Sequence, residues 1–368
     1  MKKIAIFIAH YSIDNSPSII NLLEFLSESY EIDLFLRSVS LKTADVLRRE
    51  NIRVIDMGGR NPSGFLKEKA KSYFTSYNHY ICIDPHGFVL CKALFPKSRP
   101  IYYSLELYMK DDHFGLLYPK HVFDKERSQI NDIKGLIIQS EEKDALFRKD
   151  YNLSGKIPSL ILPVTYKGPS VKEKSDKIRE MYKIDSDKKI ALHLGGIAEW
   201  FSCIELAMAF SKLDNWVLFF QGYPSKEYLE KLNDTLRKNN VTNVIITHKI
   251  YDSFEELDRI IQSCDLGIAW YNDISIGFRT AGRSSGKIAA YFKFGLPVIA
   301  KKYPSTVDAI DNTGSGICVN DIDDMKDAVS LIEKDYARFS RNARQEYEKA
   351  YRFENYKEKL MQLINLDG

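Results

Sequence analysis

Short apolar runs alternate with amphipathic stretches along the whole chain. In the first half, the runs at 3–9, 31–36, 52–56, 80–84, 100–104 and 135–139 read as strands, with helical patterns at 17–29, 41–50, 118–131 and 141–150. In the second half, the strand-like runs are 189–194, 216–221, 243–247, 265–270, 297–300 and 316–319, and the helical stretches are 202–212, 225–239, 254–263, 286–294 and 322–334. Runs of Val, Ile, Leu and Phe without polar alternation suit strands covered on both faces. Strand and helix in alternation then predict parallel, doubly wound sheets.

The pattern breaks at 166–175, Tyr-Lys-Gly-Pro-Ser-Val-Lys-Glu-Lys-Ser, which reads as a linker. This predicts a first domain at 1–165 and a second at 176–334. The tail, 335–368, is charged and helical, with Tyr336, Phe339, Tyr347, Tyr351, Phe353 and Tyr356 as anchors, and is expected to cross back to the first domain. Two such domains predict a ligand in the cleft between facing strand ends.

Composition narrows the reading. With 368 residues, two domains are the natural division, and 44% hydrophobic residues suffice for two cores. A net charge of +3 argues against a broad grip on nucleic acid. The apolar run after Met1-Lys2-Lys3 meets His10 and Asp14 too soon for a signal peptide, and no run approaches the ~18 residues of a membrane span. Cys82, Cys91, Cys203, Cys264 and Cys318 form no CxxC pair and read as buried thiols of a cytoplasmic protein. The seven histidines are scattered, so no metal is expected.

The chemistry concentrates at Gly282-Arg283-Ser284-Ser285-Gly286-Lys287, a small basic loop opening a helix. Unpaired N–H groups and a positive dipole end make such a place an anion site. One reading is diphosphate capture by Ser284, Ser285, Gly286 and Lys287. The other is an N-cap serine, a turn glycine and a solvated lysine. A P-loop needs Gly, four residues, then Gly-Lys and Ser or Thr. Here three residues separate the glycines, and Ile288 follows Lys287. Arg279 and Arg283 flank the loop, either as clamps on leaving phosphates or as surface partners of Asp273 or another carboxylate.

With its surroundings, this loop resembles the donor site of GT-B glycosyltransferases, in particular the family 4-like bacterial surface-polysaccharide enzymes. Ser285 to Ala300 is similar to their donor helix with its Gly-x-Pro-Val-Ile-Ala exit, and Cys264-Asp265-Leu266-Gly267-Ile268 to the strand before it. Leu192-His193-Leu194-Gly195-Gly196-Ile197 and Phe219-Phe220-Gln221-Gly222 resemble the first two strand ends of the donor domain. Ile83-Asp84-Pro85-His86 and Tyr103-Ser104-Leu105-Glu106-Leu107-Tyr108 resemble elements of the acceptor domain. The resemblance implies an α/β, GT-B fold of two Rossmann-like domains facing a cleft, with a nucleotide sugar as donor and no metal on the diphosphate. Two family glutamates flanking the loop fall here at about Gly282 and at Ala290, and the usual Arg and Lys of the first glycine loop at about Gly196 and Phe201.

Further candidates follow from their positions. Gly195 and Gly196 allow close approach of a ligand to the backbone, or simply a tight turn. Glu199, Gly222 and Tyr271 fall in the nucleoside and sugar vicinity: Glu199 as a contact to a sugar hydroxyl or a solvated carboxylate, Tyr271 as a stacking ring. Pro85 constrains Asp84, presenting Asp84 or His86 at a strand end as general base, with Glu106 as a second candidate. Residues 65–77 mix lysines with aromatics, either as a lipid-headgroup patch or as an ordinary amphipathic helix. The expected function is transfer of a sugar from a nucleoside diphosphate to a hydroxyl of a glycan or lipid-linked glycan, in the cytoplasm or at the inner membrane face. A nucleotide-sugar 2-epimerase and a non-catalytic partner subunit are the alternatives.

Overall fold

The computed structural model describes all residues except 1, 9–12, 14–15, 37–44, 58–61, 73, 111–118, 250–253 and 367–368. The chain divides into two compact units, residues 1–167 with 353–368, and residues 168–352.

Among its described residues, the first unit holds seven parallel strands: β1 (Lys2–Ile8), β2 (Tyr30–Leu36), β3 (Ile52–Asp56), β4 (His79–Ile83), β5 (Ile101–Tyr103), β6 (Gly135–Ile138) and β7 (Ser159–Ile161). Their order, β3-β2-β1-β4-β5-β6-β7, steps outward from β1 one way and then the other, as in a doubly wound sheet. Its helices include α1 (Pro17–Leu26), α2 (Pro62–Ser72), α3 (Asp84–Leu94), α4 (Lys120–Gln129) and α5 (Glu141–Tyr151). β1 shows why the sheet is covered twice. Ile4, Ile6 and Ile8 join Ile19, Leu22 and Leu23 of α1 in one core, while Phe7 stacks on Phe35 at 4.6 Å. The start of α5 follows its sequence: Ser140 caps the Lys143 N–H at 3.1 Å and three acids occupy the first turn.

Three local features depart from the sequence reading. The strand expected to run through 84 stops at Ile83, and α3 starts at once. Gly87 permits this, because a Cβ there would lie 2.4 Å from the Phe7 carbonyl oxygen. β7 has no counterpart among the expected strands. The helix expected at 41–50 is, in its described part, a short 3-10 turn at Asp45–Arg48, with 41–44 outside the described residues.

The second unit holds six parallel strands in the order β10-β9-β8-β11-β12-β13: β8 (Lys189–Ile197), β9 (Trp216–Pro224), β10 (Val244–Thr247), β11 (Leu266–Ala269), β12 (Val298–Lys301) and β13 (Gly316–Val319). Its helices are α6 (Lys177–Tyr182), α7 (Cys203–Phe210), α8 (Lys226–Lys238), α9 (Phe254–Gln262), α10 (Ile276–Arg279), α11 (Ala281–Ser284), α12 (Gly286–Lys293), α13 (Pro304–Thr306), α14 (Met325–Lys334) and α15 (Tyr336–Glu346). β8 and β9 stay paired through Ile197 and Pro224, beyond the expected ends at 194 and 221. Tyr291 pins α12 over this sheet. Its buried hydroxyl donates to the Leu192 carbonyl and accepts the Leu194 N–H, both at 2.9 Å. Gly267 leaves room for the ring, which a Cβ there would meet at 2.2 Å.

After Arg352 the chain returns to the first unit. The Phe353 ring meets Phe25 edge-on at 5.9 Å, and α16 (Lys357–Ile364) adds Leu360, Leu363 and Ile364 to the core of Ile101 and Ile137. All five cysteines are buried and free. Among the described residues, no helix is long and apolar enough to cross a membrane.

Candidate functional site

In the second unit the site grows from the start of α12. Ser285 is its N-cap. The Ser285 hydroxyl accepts the Ile288 N–H at 3.3 Å and shares a 2.6 Å hydrogen bond with the Tyr271 hydroxyl. The N–H groups of Gly286 and Lys287 open the first turn, where no intrahelical acceptor exists. Between the two sequence readings, Ser285 is the capping serine. Ser284 is turned back on the Thr280 carbonyl at 3.1 Å.

The Lys287 side chain is the unusual one. Its Nζ has neither a hydrogen-bond partner nor solvent contact. It lies 4.4 Å from the Phe201 ring centroid and 5.0 Å from that of Tyr271. On a third side is Gly195, at φ +110°, where a Cβ would approach the Lys287 Nζ to 3.8 Å. Burial pushes its pKa down to about 8. Two ring faces return roughly 0.5–2 kcal/mol each, which does not replace the hydration of an ammonium. The ammonium is therefore left short of the solvation it has in water.

Two more buried polar atoms without partners lie on the adjoining strands. His193 on β8 donates from Nε2 to the Gly196 carbonyl at 2.9 Å, which leaves Nδ1 a bare acceptor. Burial, then the nearby Lys287 ammonium, hold this imidazole well below its ordinary pKa. Gln221 on β9 donates to the Lys249 carbonyl at 2.9 Å, and its Oε1 has no partner. Among the described residues of the second unit, Lys287, His193 and Gln221 are the buried side chains with such atoms. Neither His193 nor Gln221 was singled out from sequence, since each sits inside an apolar strand pattern.

The remaining expected donor residues have other partners or roles. Arg283 has partners of its own inside the second unit. It pairs with Glu346 at 2.5 Å and Asp308 at 3.3 Å, and lies over the Tyr351 ring at 5.6 Å. Burial works against its charge, but Tyr351, Glu346 and Asp308 hold its pKa above the ordinary value. Arg279 pairs with Asp273 at 3.4 Å on the surface. Both follow the carboxylate-paired alternative. Gly195 and Gly196 form no tight turn; they continue β8 opposite Gly222 and Tyr223. Gly222 is required there, because a Cβ would fall 1.4 Å from the Gly195 carbonyl oxygen. Glu199 is exposed on a 3-10 turn, two residues before Phe201. Tyr271 is buried beside Lys287 rather than offered as an open stacking surface. The two family glutamate positions are closed. A Cβ on Gly282 would lie 2.0 Å from the Ser305 carbonyl oxygen, and Ala290 is buried in the core.

In the first unit, the chemistry-bearing groups gather where β4, β5 and β6 end. Asp84 takes up a left-handed φ of 54° and is buried. Its Oδ1 accepts the N–H groups of Leu105 and Glu106 at 2.8 and 3.3 Å, so it anchors the segment after β5 instead of standing open as a base. His86 is buried in the first turn of α3, and Glu106 is exposed. Lys143, missed from sequence because it reads as one more polar residue of an amphipathic helix, is buried with Nζ 3.3 Å from Gln139 Oε1. Burial lowers its pKa, against the pull of the Glu106 and Asp84 carboxylates. Gln139 in turn donates to the Ser104 and Leu105 carbonyls at 2.6 and 2.7 Å. Among the described residues, no group of His, Cys, Asp and Glu is arranged to hold a metal ion.

Solved structures share this fold. The Anabaena HepE protein, solved with UDP and glucose, superposes with a TM-score of 0.76 at 11% identity, covering 98% of this chain and 99% of HepE. Sucrose-phosphate synthase from Thermosynechococcus elongatus gives 0.73 at 14% identity, over 99% of this chain and 98% of the synthase. A Rickettsia africae glycosyltransferase gives 0.73 at 15% identity, over 100% and 99%. The chain has the GT-B glycosyltransferase fold. Within this GT-B chain, residues 220–362 match the family described as Glucosyltransferase 3-like, C-terminal domain. No curated protein matches the sequence.

Proposed function

We propose that the chain is a glycosyltransferase that moves a sugar from a nucleoside diphosphate sugar to a hydroxyl of a bacterial glycan or lipid-linked glycan. The observation that carries this reading is the desolvated, unpartnered Lys287 ammonium at the start of α12, in a chain of GT-B fold. Charge grows on the leaving diphosphate as the glycosidic bond breaks, and a fixed cation in a dry setting favours that change more than a hydrated one. The α12 N–H groups add to it, so the diphosphate needs no metal ion. The His193 Nδ1 and Gln221 Oε1 acceptors suit hydroxyl or amide donors of the nucleoside or sugar. In the first unit, Glu106 or His86 takes the acceptor proton, with Asp84, Gln139 and Lys143 positioning the segment that carries Glu106. Such an enzyme works in the cytoplasm, where nucleotide sugars are found.

Calorimetric titration with UDP, GDP and dTDP tests the donor assignment. UDP is the first choice because HepE was solved with it. Lys287→Ala is expected to weaken binding by about ten- to a hundredfold, the worth of a charge-assisted hydrogen bond, with an unlowered melting temperature. Unchanged affinity would remove the assignment. The closed positions at Gly282 and Ala290 favour a second reading, a non-catalytic partner subunit. Nucleotide binding with neither transfer nor slow donor hydrolysis would select it.

A further inference from the structure

α2 offers a surface that the proposed reaction does not use. Phe74, two residues beyond the helix end, is 91% exposed, and Leu66 is 62% exposed. The Phe74 N–H bonds to the Lys71 carbonyl at 3.0 Å, which holds Phe74 close to the end of the helix. At about 100° per residue, Leu66 and Ala70 fall roughly 40° apart on one stripe, with Phe74 following near its end. Lys69 flanks the stripe on one side, and Lys67 and Lys71 on the other. Ala70, Lys67 and Lys71 are exposed. The opposite face is packed: Glu68 is buried, and the Ser72 hydroxyl donates to the Leu94 carbonyl of α3 at 2.7 Å. The helix carries three lysines against that one glutamate, which pairs with Lys71 at 2.9 Å.

We infer that this face of α2 docks on an anionic lipid bilayer. Large apolar side chains at the tips of a stripe bordered by cations on both sides fit the boundary between acyl chains and phosphate headgroups. A second copy of the chain fits less well, because two isolated apolar side chains do not make the ~1,200 Å² or more that a stable dimer buries. The lysines would also face lysines in a symmetric contact. The surface connects with the proposed reaction only through a lipid-linked acceptor. Vesicle binding is read without donor or acceptor, so it stands or fails separately from the Lys287 titration.

The test is co-sedimentation of the full chain with vesicles of phosphatidylcholine alone or with about 30 mol % phosphatidylglycerol. Binding is expected to the anionic vesicles only and is weakened by high salt. Leu66→Ser with Phe74→Ser, and separately Lys67→Ala with Lys69→Ala, are each expected to lower partitioning by about tenfold without changing the melting temperature. Phe74→Trp should show a blue-shifted emission on anionic vesicles. Equal partitioning of the variants, or no binding to anionic vesicles, overturns the inference. So does a concentration-dependent dimer that the Leu66→Ser, Phe74→Ser variant abolishes, which would assign the face to a second copy.

Discussion

At the strand ends of the first unit, the buried charges of Asp84 and Lys143 have counterparts inside the protein. Asp84 is held by two backbone N–H groups, Lys143 by Gln139, and Gln139 by two carbonyls. At the strand ends of the second unit, Lys287, His193 and Gln221 each keep a buried polar atom with no partner. Folded proteins satisfy nearly all such groups, and under the proposed function a nucleotide sugar would complete these three. The contrast separates two ways of building a site. One side fixes backbone geometry and exposes a single carboxylate, Glu106. The other stores unmet electrostatic demand.

The first way to break this comparison is through catalysis. Glu106→Gln is expected to lower transfer by about 10²-fold or more, the worth of a general base, while UDP affinity measured by calorimetry stays as in the wild type. A joint loss of both would merge the two roles that the comparison keeps apart.

Next in size is the contrast within the basic loop itself. Arg283→Ala leaves Glu346 buried without its cation, which costs about 3 kcal/mol, so the melting temperature should fall by several degrees. UDP affinity of the folded variant should stay within about twofold of wild type, since a committed guanidinium contributes no phosphate contact. A large affinity loss with little destabilisation would reverse the assignments of Arg283 and Lys287.

The smallest effect concerns pH. The Lys287 pKa in the unliganded protein is about 8. If the charged form binds the diphosphate as proposed, affinity is full below that value and falls as pH rises through it, by about tenfold per unit at higher pH. Calorimetry between pH 7 and pH 9.5 checks this against Lys287→Ala, whose profile should be flatter. A wild-type profile as flat as that of the variant would show that the ammonium does not meet the phosphate.

Much of the architecture was legible because buried parallel strands write themselves as unbroken apolar runs. β1, β2, β8 and β11 are examples, each fixed by its own few residues and by the helix that follows. β7 escaped because it is three residues long, and α3 because a Pro-containing start after an apolar strand looks like a turn. The helix start at 285–287 was legible for the same local reason: a capping serine and a glycine ahead of an apolar helical pattern.

Sequence by itself determined the alternation of strand and helix, the two sheets, and the basic stretch at 282–287 that opens a helix. Which cation in that stretch stays uncommitted was decided by tertiary structure alone. Glu346 and Asp308, 63 and 25 residues from Arg283, neutralise it. Phe201 and Tyr271 enclose Lys287 without offering it a hydrogen bond. The Ser305 carbonyl excludes any side chain at position 282. Charge type is a property of the residue, but its availability depends on desolvation and partners, and folding brings those together from distant parts of the chain.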